Sequence, residues 1–172
     1  MKKLYLIRHA KSSWKEIGLS DFERGLNKRG KKDAPMIGNI LKKKEITPDI
    51  IISSPAKRTK KTAFIIAKSV GIKKENIIFK ESIYESSMNE LLNVIENLDN
   101  SLNSVFLIGH NPSLNVLAEY LTNSYINNIP TCGVLAIDLD INLWNEVSDG
   151  CGKIEFFDYP KNYNIIQTKK GI

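Results

Sequence analysis

The chain has only two histidines, His9 and His110, and four arginines, Arg8, Arg24, Arg29 and Arg58, set against 21 lysines. These scarce residues are not scattered. Arg8-His9-Ala10 follows an apolar run at residues 4–7, and Ser53-Ser54-Pro55-Ala56-Lys57-Arg58 follows another at 50–52. Gly109-His110-Asn111-Pro112 follows a third at 105–108. Both histidines and two of the four arginines therefore stand just beyond apolar runs of strand length. The chemistry these types can do together is phosphoryl transfer. A neutral imidazole is a competent nucleophile toward phosphorus, forming a phosphohistidine that water then hydrolyses. Guanidinium groups grip phosphate oxygens bidentately, which lysine cannot do, and stabilise transition-state charge, so the scheme calls for no metal. Nearby guanidinium charge also disfavours the imidazolium and keeps the attacking nitrogen free. In that scheme His9 attacks, Arg8 and Arg58 clamp, and His110 donates a hydrogen bond to a phosphate oxygen.

The elements that must position them follow from periodicity and turn chemistry. Strands are predicted at residues 3–7, 49–53, 76–80, 104–108, 133–139 and 153–159. Helices are predicted at 28–45, from Ser54-Pro55 to Val70 before Gly71, at 88–98 and at 112–122. Pro35 is an awkward feature in the first of these, residues 10–27 read as loop, and 143–147 is ambiguous between states. Alternation of the two types predicts right-handed crossovers and one three-layer α/β domain with a mostly parallel sheet. Ligands of such sheets bind beyond the carboxyl ends of the strands, which is where the scarce residues fall. Ser54 and Asn111 read as N-caps with Pro55 and Pro112 at the first helical position, presenting two helix N-termini to an anion. Asn111 is on that ground also a candidate phosphate ligand.

Composition narrows the field. At 172 residues, 42% hydrophobic and 26% charged, the chain reads as an ordinary globular domain large enough to bury a core unaided. The expected organisation is a domain over 1–160 and a polar tail over 161–172. Apolar runs are too short for a membrane span, and the four residues after Met1-Lys2-Lys3 are too few for a secretory signal. Cys132 and Cys151 show no metal or disulfide spacing, so reduced cysteines and a cytoplasmic location are expected, with no metal and no cofactor. Residues 1–80 carry 21 basic and 7 acidic side chains, while 81–152 carry 10 acids and no Lys or Arg. The basic half raises the possibility of a nucleic-acid or simple anion-binding module. No aromatics interleave with the lysine runs, so no nucleic-acid partner is expected.

The three motifs, with Thr59, Thr62 and Ala63 after the second, resemble the histidine phosphatase (phosphoglycerate mutase-like) superfamily. The stretch Asp21-Phe22-Glu23-Arg24-Gly25-Leu26-Asn27-Lys28-Arg29-Gly30 is similar to the DxxRPLxxxG segment of SixA-type phosphohistidine phosphatases. Ile83–Ser87, Pro130-Thr131 and the closing Phe156–Pro160 fit the same pattern. The resemblance implies a six-stranded, phosphoglycerate mutase-like sheet with one antiparallel edge strand. It also implies His9 as phospho-acceptor in a pocket completed by Arg8, Arg58 and His110. Ala10 stands where Gly is commoner, and Gly25 where Pro is usual, which loosens the loop carrying Arg24. Arg24 is a further candidate phosphate ligand at the pocket mouth.

Superfamily phosphoesterases take their general acid from the segment after the third strand, where Glu81 and Glu85 both lie. Spacing does not choose between them, and Glu85 is preferred because it sits in the SixA-like segment. Short connections leave only 10–27 as a partial lid, and an open pocket suits a phosphorylated side chain offered by a protein. The leading expectation is a phosphatase acting on phosphohistidine in a phosphotransfer domain. A small phosphoester substrate with the same His9 chemistry is the alternative.

Overall fold

The computed structural model describes residues 1–163. Its strands are β1 (Lys2–Arg8), β2 (Ile50–Ser53), β3 (Ile77–Phe79), β4 (Ser104–Gly109), β5 (Val134–Leu139) and β6 (Gly152–Asp158). Its helices are α1 (Lys28–Lys43), α2 (Lys57–Val70), α3 (Met88–Glu96) and α4 (Ser113–Thr122). The strands form one sheet in the order β3-β2-β4-β1-β5-β6. The first four are mutually parallel, and the antiparallel pairing lies at one edge, where β5 runs against both β1 and β6. The reversed strand is thus next to last, with β6 outside it.

Strand alternation builds the three layers. Leu4 and Leu6 of β1 and Val105 and Leu107 of β4 face one side, where α3 and α4 bring Leu91, Ile95, Leu114, Leu117 and Leu121. Tyr5, Ile7, Phe106 and Ile108 face the other, against Ala34, Ile37 and Leu41 of α1 and Ala63 and Ile66 of α2. Continuous apolar runs in β1 and β4 are what a centre strand covered on both faces requires. The chain leaves β1, returns two places away as β2, and later fills the gap with β4. That crossover sets the carboxyl ends of β2, β4 and β1 side by side, with Arg8 level with Gly109 and Ser53 level with Ile108.

The capping grammar at the second and fourth helices is different from the predicted one. α2 begins at Lys57 with Ala56 as N-cap, and Ser54 Oγ accepts the Ala56 amide (3.3 Å) from before the helix. α4 begins at Ser113 with Pro112 as N-cap, so Asn111 falls one residue short of capping, as Ser54 falls two short. The ambiguous segment is a 3-10 turn, Trp144–Glu146, and Pro35 sits within α1 without ending it. Of the predicted tail, residues 164–172 lie outside the described residues, while 161–163 form a helical turn in which Asn162 and Tyr163 donate to Asp158.

The loop after β1 is tied to the start of α1 by close backbone approach. Lys11 carbonyl accepts the Asn27 amide (3.0 Å), and Asn27 Oδ1 in turn caps α1 by accepting from Gly30. A Cβ at Gly30 would clash with that Lys11 carbonyl. Gly30→Ala should therefore destabilise the fold by about 1–3 kcal/mol, the usual range for overpacking against a fixed neighbour. Denaturant titration of both proteins measures it.

Candidate active site

The two histidines meet as the strand order requires. His9 follows β1 and is 8% exposed, and His110 follows β4. Their rings stand 5.4 Å apart between centroids. His9 is framed by backbone: its amide donates to Gly109 carbonyl (3.2 Å), and the Cys132 amide donates to the carbonyls of Arg8 and His9. Next to it, Ala10 amide donates to Thr62 Oγ1, whose hydroxyl donates to Arg58 carbonyl. The ring nitrogen Nδ1 lies 2.8 Å from Ala10 carbonyl. A carbonyl only accepts, so Nδ1 carries the proton and the Nε2 lone pair is left free.

Arg58 and Arg8 stand at the ends of their elements beside the two rings. Arg58 is the second residue of α2, and its guanidinium reaches His110 Nδ1 at 3.3 Å. Because a guanidinium only donates, that nitrogen accepts, and His110 Nε2–H donates to buried Ser54 Oγ (2.8 Å). Arg8, the last residue of β1, donates from one terminal nitrogen to Ile129 carbonyl (3.0 Å). Among the described residues, Arg8 Nε and Arg58 Nε are buried without a hydrogen-bond partner. Buried unpaired donors are costly and uncommon.

Two residues that sequence reasoning gave no site role complete the arrangement. Asp21 binds both other cations of the site. Arg58 donates to its carbonyl (2.7 Å) and to Oδ2 (3.0 Å), and Arg24 donates to Oδ1 from Nε and a terminal nitrogen. Tyr84 hydroxyl donates to Oδ2 (2.7 Å), and its ring stands edge-on to His110. Arg24 further donates to Ser12 Oγ (2.9 Å) and stacks on Trp14, with its guanidinium carbon 3.4 Å from the ring centre. It is thus bound into the loop through Asp21 rather than left free at the mouth. The Asn111 side-chain amide donates to Asn128 Oδ1 and to Ile129 carbonyl, which Arg8 also uses, while its Oδ1 is buried without a partner among the described residues. Glu81 and Glu85 are exposed, and neither makes a side-chain hydrogen bond among the described residues. The Asp21-to-Arg24 segment was visible in the sequence. Nothing local announces that Asp21 meets Arg58, 37 residues away, or Tyr84, 63 away.

Electrostatics follow from this packing. Burial, more than the arginines, lowers His9 to about 3, with His110, Arg58 and Arg8 adding to it against the opposing Ala10 bond. Burial and then Arg58 lower His110 to about 4. Burial alone would raise Asp21, but the hydrogen bonds from Tyr84, Arg24 and Arg58 outweigh it and hold the carboxyl near about 2. At neutral pH the site therefore pairs two neutral imidazoles with an ionised carboxylate and three arginines.

A stability prediction follows. The unfolded chain protonates both histidines near the ordinary value of 6.5, and the folded chain only near about 4 and about 3. The unfolded state binds more protons in that window, so stability falls as pH drops from about 6.5 toward about 3. Denaturation midpoints measured downward from pH 7 should decline, and replacing both histidines by asparagine should remove roughly two protons from the slope.

A doubly covered sheet with imidazoles and guanidiniums gathered at its strand ends is the build of a phosphoryl-handling enzyme. The chain belongs to the histidine phosphatase superfamily (branch 1), whose family model matches residues 4–97. It is 30% identical over 153 residues to an uncharacterised chloroplastic protein of Arabidopsis thaliana, covering 84% of this chain and 70% of that one. Phosphoserine phosphatase 1 of Hydrogenobacter thermophilus is 40% identical over 83 residues, 45% of this chain and 38% of that protein. A structure from Agrobacterium tumefaciens assigned as phosphohistidine phosphatase SixA superposes with TM-score 0.80 at 27% identity, covering 92% of this chain and 98% of the other. A protein histidine phosphatase SixA complexed with tungstate shares the fold at TM-score 0.80 and 18% identity, covering 93% and 98%. Family and fold support a phosphatase, with the architecture that the SixA structures share. Among the described residues, no helix is long and apolar enough to cross a membrane.

Proposed function

We propose that this phosphatase removes the phosphoryl group from phosphohistidine on a partner protein, such as a phosphotransfer domain, through a covalent intermediate on His9. The observation that carries the reading is the His9 tautomer: Nδ1–H is held by Ala10 carbonyl, so Nε2 is neutral and free to attack. A P–Nε2 bond forms on His9 while the P–N bond of the substrate breaks, and the substrate imidazole, already protonated on its other ring nitrogen, leaves as the neutral ring. Water then attacks the phosphoryl group and releases inorganic phosphate, returning His9 to its starting form. Arg8 and Arg58 hold the non-bridging oxygens, and their unpartnered buried Nε–H groups are donors suited to an anion. Ser54 hydroxyl can donate as well as accept. Once the phosphoryl group takes over the Arg58 donor, Ser54 can donate to His110 Nε2 and His110 can present Nδ1–H to phosphate. Arg24 is in this reading a positioning residue, acting through Asp21 on Arg58.

The choice of phosphohistidine is supported by the carboxylates. Glu81 and Glu85 are exposed without hydrogen bonds to the pocket, and Asp21 is ionised far below neutral pH. Imidazole leaves a phosphoramidate with less acid assistance than an alkoxide leaves a phosphoester. The similarity to a phosphoserine phosphatase favours a second reading, a small phosphomonoesterase using the same His9 chemistry. Turnover of a histidine-phosphorylated phosphotransfer domain and of phosphoserine at matched concentrations separates the two. The first reading expects clear preference for the phosphorylated domain, and preference for phosphoserine would overturn it. Glu85→Gln and Glu81→Gln should leave phosphohistidine turnover within about threefold, since no acid is assigned to that step.

A further inference from the structure

Beside the pocket mouth runs an open groove of about 790 Å³ that the phosphoryl chemistry does not use. Its walls are the loop after β1, the first turns of α1 and the exposed flank of α2. Lys15, Lys28, Lys31, Lys57 and Lys61 line it, and Arg24 closes the end nearest the active site. One acid, Glu16, lies among them. Lysines on a surface are ordinarily offset by acids at helical or cross-loop spacing. Here the five lysines form no ion pair among the described residues, whereas Arg24 and Arg29 are held by Asp21 and Asp33. The uncompensated charge is therefore concentrated in a concave surface, not spread over a helix face.

We infer that this groove docks an acidic segment of the phosphorylated protein substrate, placing its phosphoryl group at His9. The inference rests on the partner-protein reading above and extends it to where the partner binds. Continuity with the active site supports it: Arg24 lines the groove and bonds Asp21, and Asp21 bonds Arg58. Lys57 directly precedes Arg58 in the first turn of α2. The rim supports a protein over a nucleic acid. Ile17 is wholly exposed and Leu19 is 41% exposed on the groove's loop, so aliphatic contacts accompany the charges. Of that loop's aromatics, Trp14 is 75% exposed but already carries the Arg24 guanidinium on its ring, and Phe22 stands edge-on to Tyr84. Nucleic-acid grooves instead track the backbone with free aromatic platforms for the bases. A concave wall also fits a peptide segment better than the flat surface of a bilayer. Opposed charge at such a rim acts mainly on encounter and on apparent substrate affinity, and is screened by salt.

The test uses the full chain and its Lys31→Glu/Lys61→Glu variant, with three substrates: a histidine-phosphorylated peptide flanked by Asp and Glu, the same peptide flanked by Ser and Asn, and free phosphohistidine. The variant should lose about tenfold in kcat/KM on the acidic peptide, carried by KM. It should turn over the neutral peptide and free phosphohistidine at wild-type rates. Raising ionic strength from about 0.05 M to about 0.5 M should reproduce the loss in wild type and change the variant little. Equal wild-type kcat/KM for the two peptides, or an equal loss by the variant on all three substrates, would overturn the inference. Failure of the phosphohistidine reading looks different: no substrate of the three is hydrolysed while phosphoserine is. The groove is then read by fluorescence anisotropy of the labelled, unphosphorylated acidic peptide. Weaker binding to the variant upholds docking, and unchanged binding overturns it. Duplex DNA or phosphatidylserine vesicles binding more tightly than the acidic peptide, with the same loss in the variant, would reassign the groove to that polyanion.

Discussion

His9→Ala should abolish both phosphoenzyme formation and turnover, lowering kcat by about 10⁴-fold or more, as removal of a covalent nucleophile does. The reason is specific to the geometry. The Nδ1–H bond to Ala10 carbonyl fixes one tautomer, and burial keeps the ring neutral down to about pH 3. No other imidazole in the described residues is so disposed, because His110 has both nitrogens engaged, with Arg58 and Ser54. Incubation with a ³²P-labelled phosphohistidine donor, quenched in base, should trap acid-labile, base-stable label on wild type and none on the variant. The surrounding frame is backbone, from Gly109 and Cys132, so the variant should keep its circular dichroism spectrum. Retained turnover in a folded His9→Ala protein would end the covalent scheme.

The second large effect belongs to Arg58. Arg58→Ala should reduce kcat/KM by about 10³-fold, and Arg58→Lys should recover little of it. Arg58 is 6% exposed and spreads its terminal nitrogens over Asp21 and His110 while leaving Nε unpartnered. An ammonium supplies one point of charge and none of that planar fork. The alanine variant also leaves Asp21 with Arg24 and Tyr84 alone, beside a pocket that must take an anion. Steady-state kinetics on phosphohistidine and competition by inorganic phosphate should both register the loss. Substitution by lysine with activity near wild type would mean that charge, and not the bidentate grip, is what Arg58 contributes.

Much of the fold was legible because the apolar runs of β1, β2 and β4 are short, continuous and bounded by turn residues. Helices α1, α3 and α4 carry apolar residues at helical spacing, and their ends moved by only a few residues. The caps were misread because Ser-Pro and Asn-Pro pairs favour a helix start without fixing which residue becomes its N-cap. Ser54 is used instead to hold His110, and Asn111 to hold the Asn128 side chain and the Ile129 carbonyl.

What the sequence by itself determined is which residues could do the chemistry and which end of the sheet they occupy. Scarce types at three strand ends are a local property, readable wherever strands can be. Only the tertiary structure decided how those residues are used. Strand order alone brings β2, β4 and β1 together, and long-range contacts then join Asp21 to Arg58 and Tyr84. The histidine tautomers are set by which neighbours can only accept and which can only donate, and those neighbours are fixed by packing. Burial, a sum over the whole fold, keeps both imidazoles neutral. No stretch of sequence carries that information, because none of these energies is local to it.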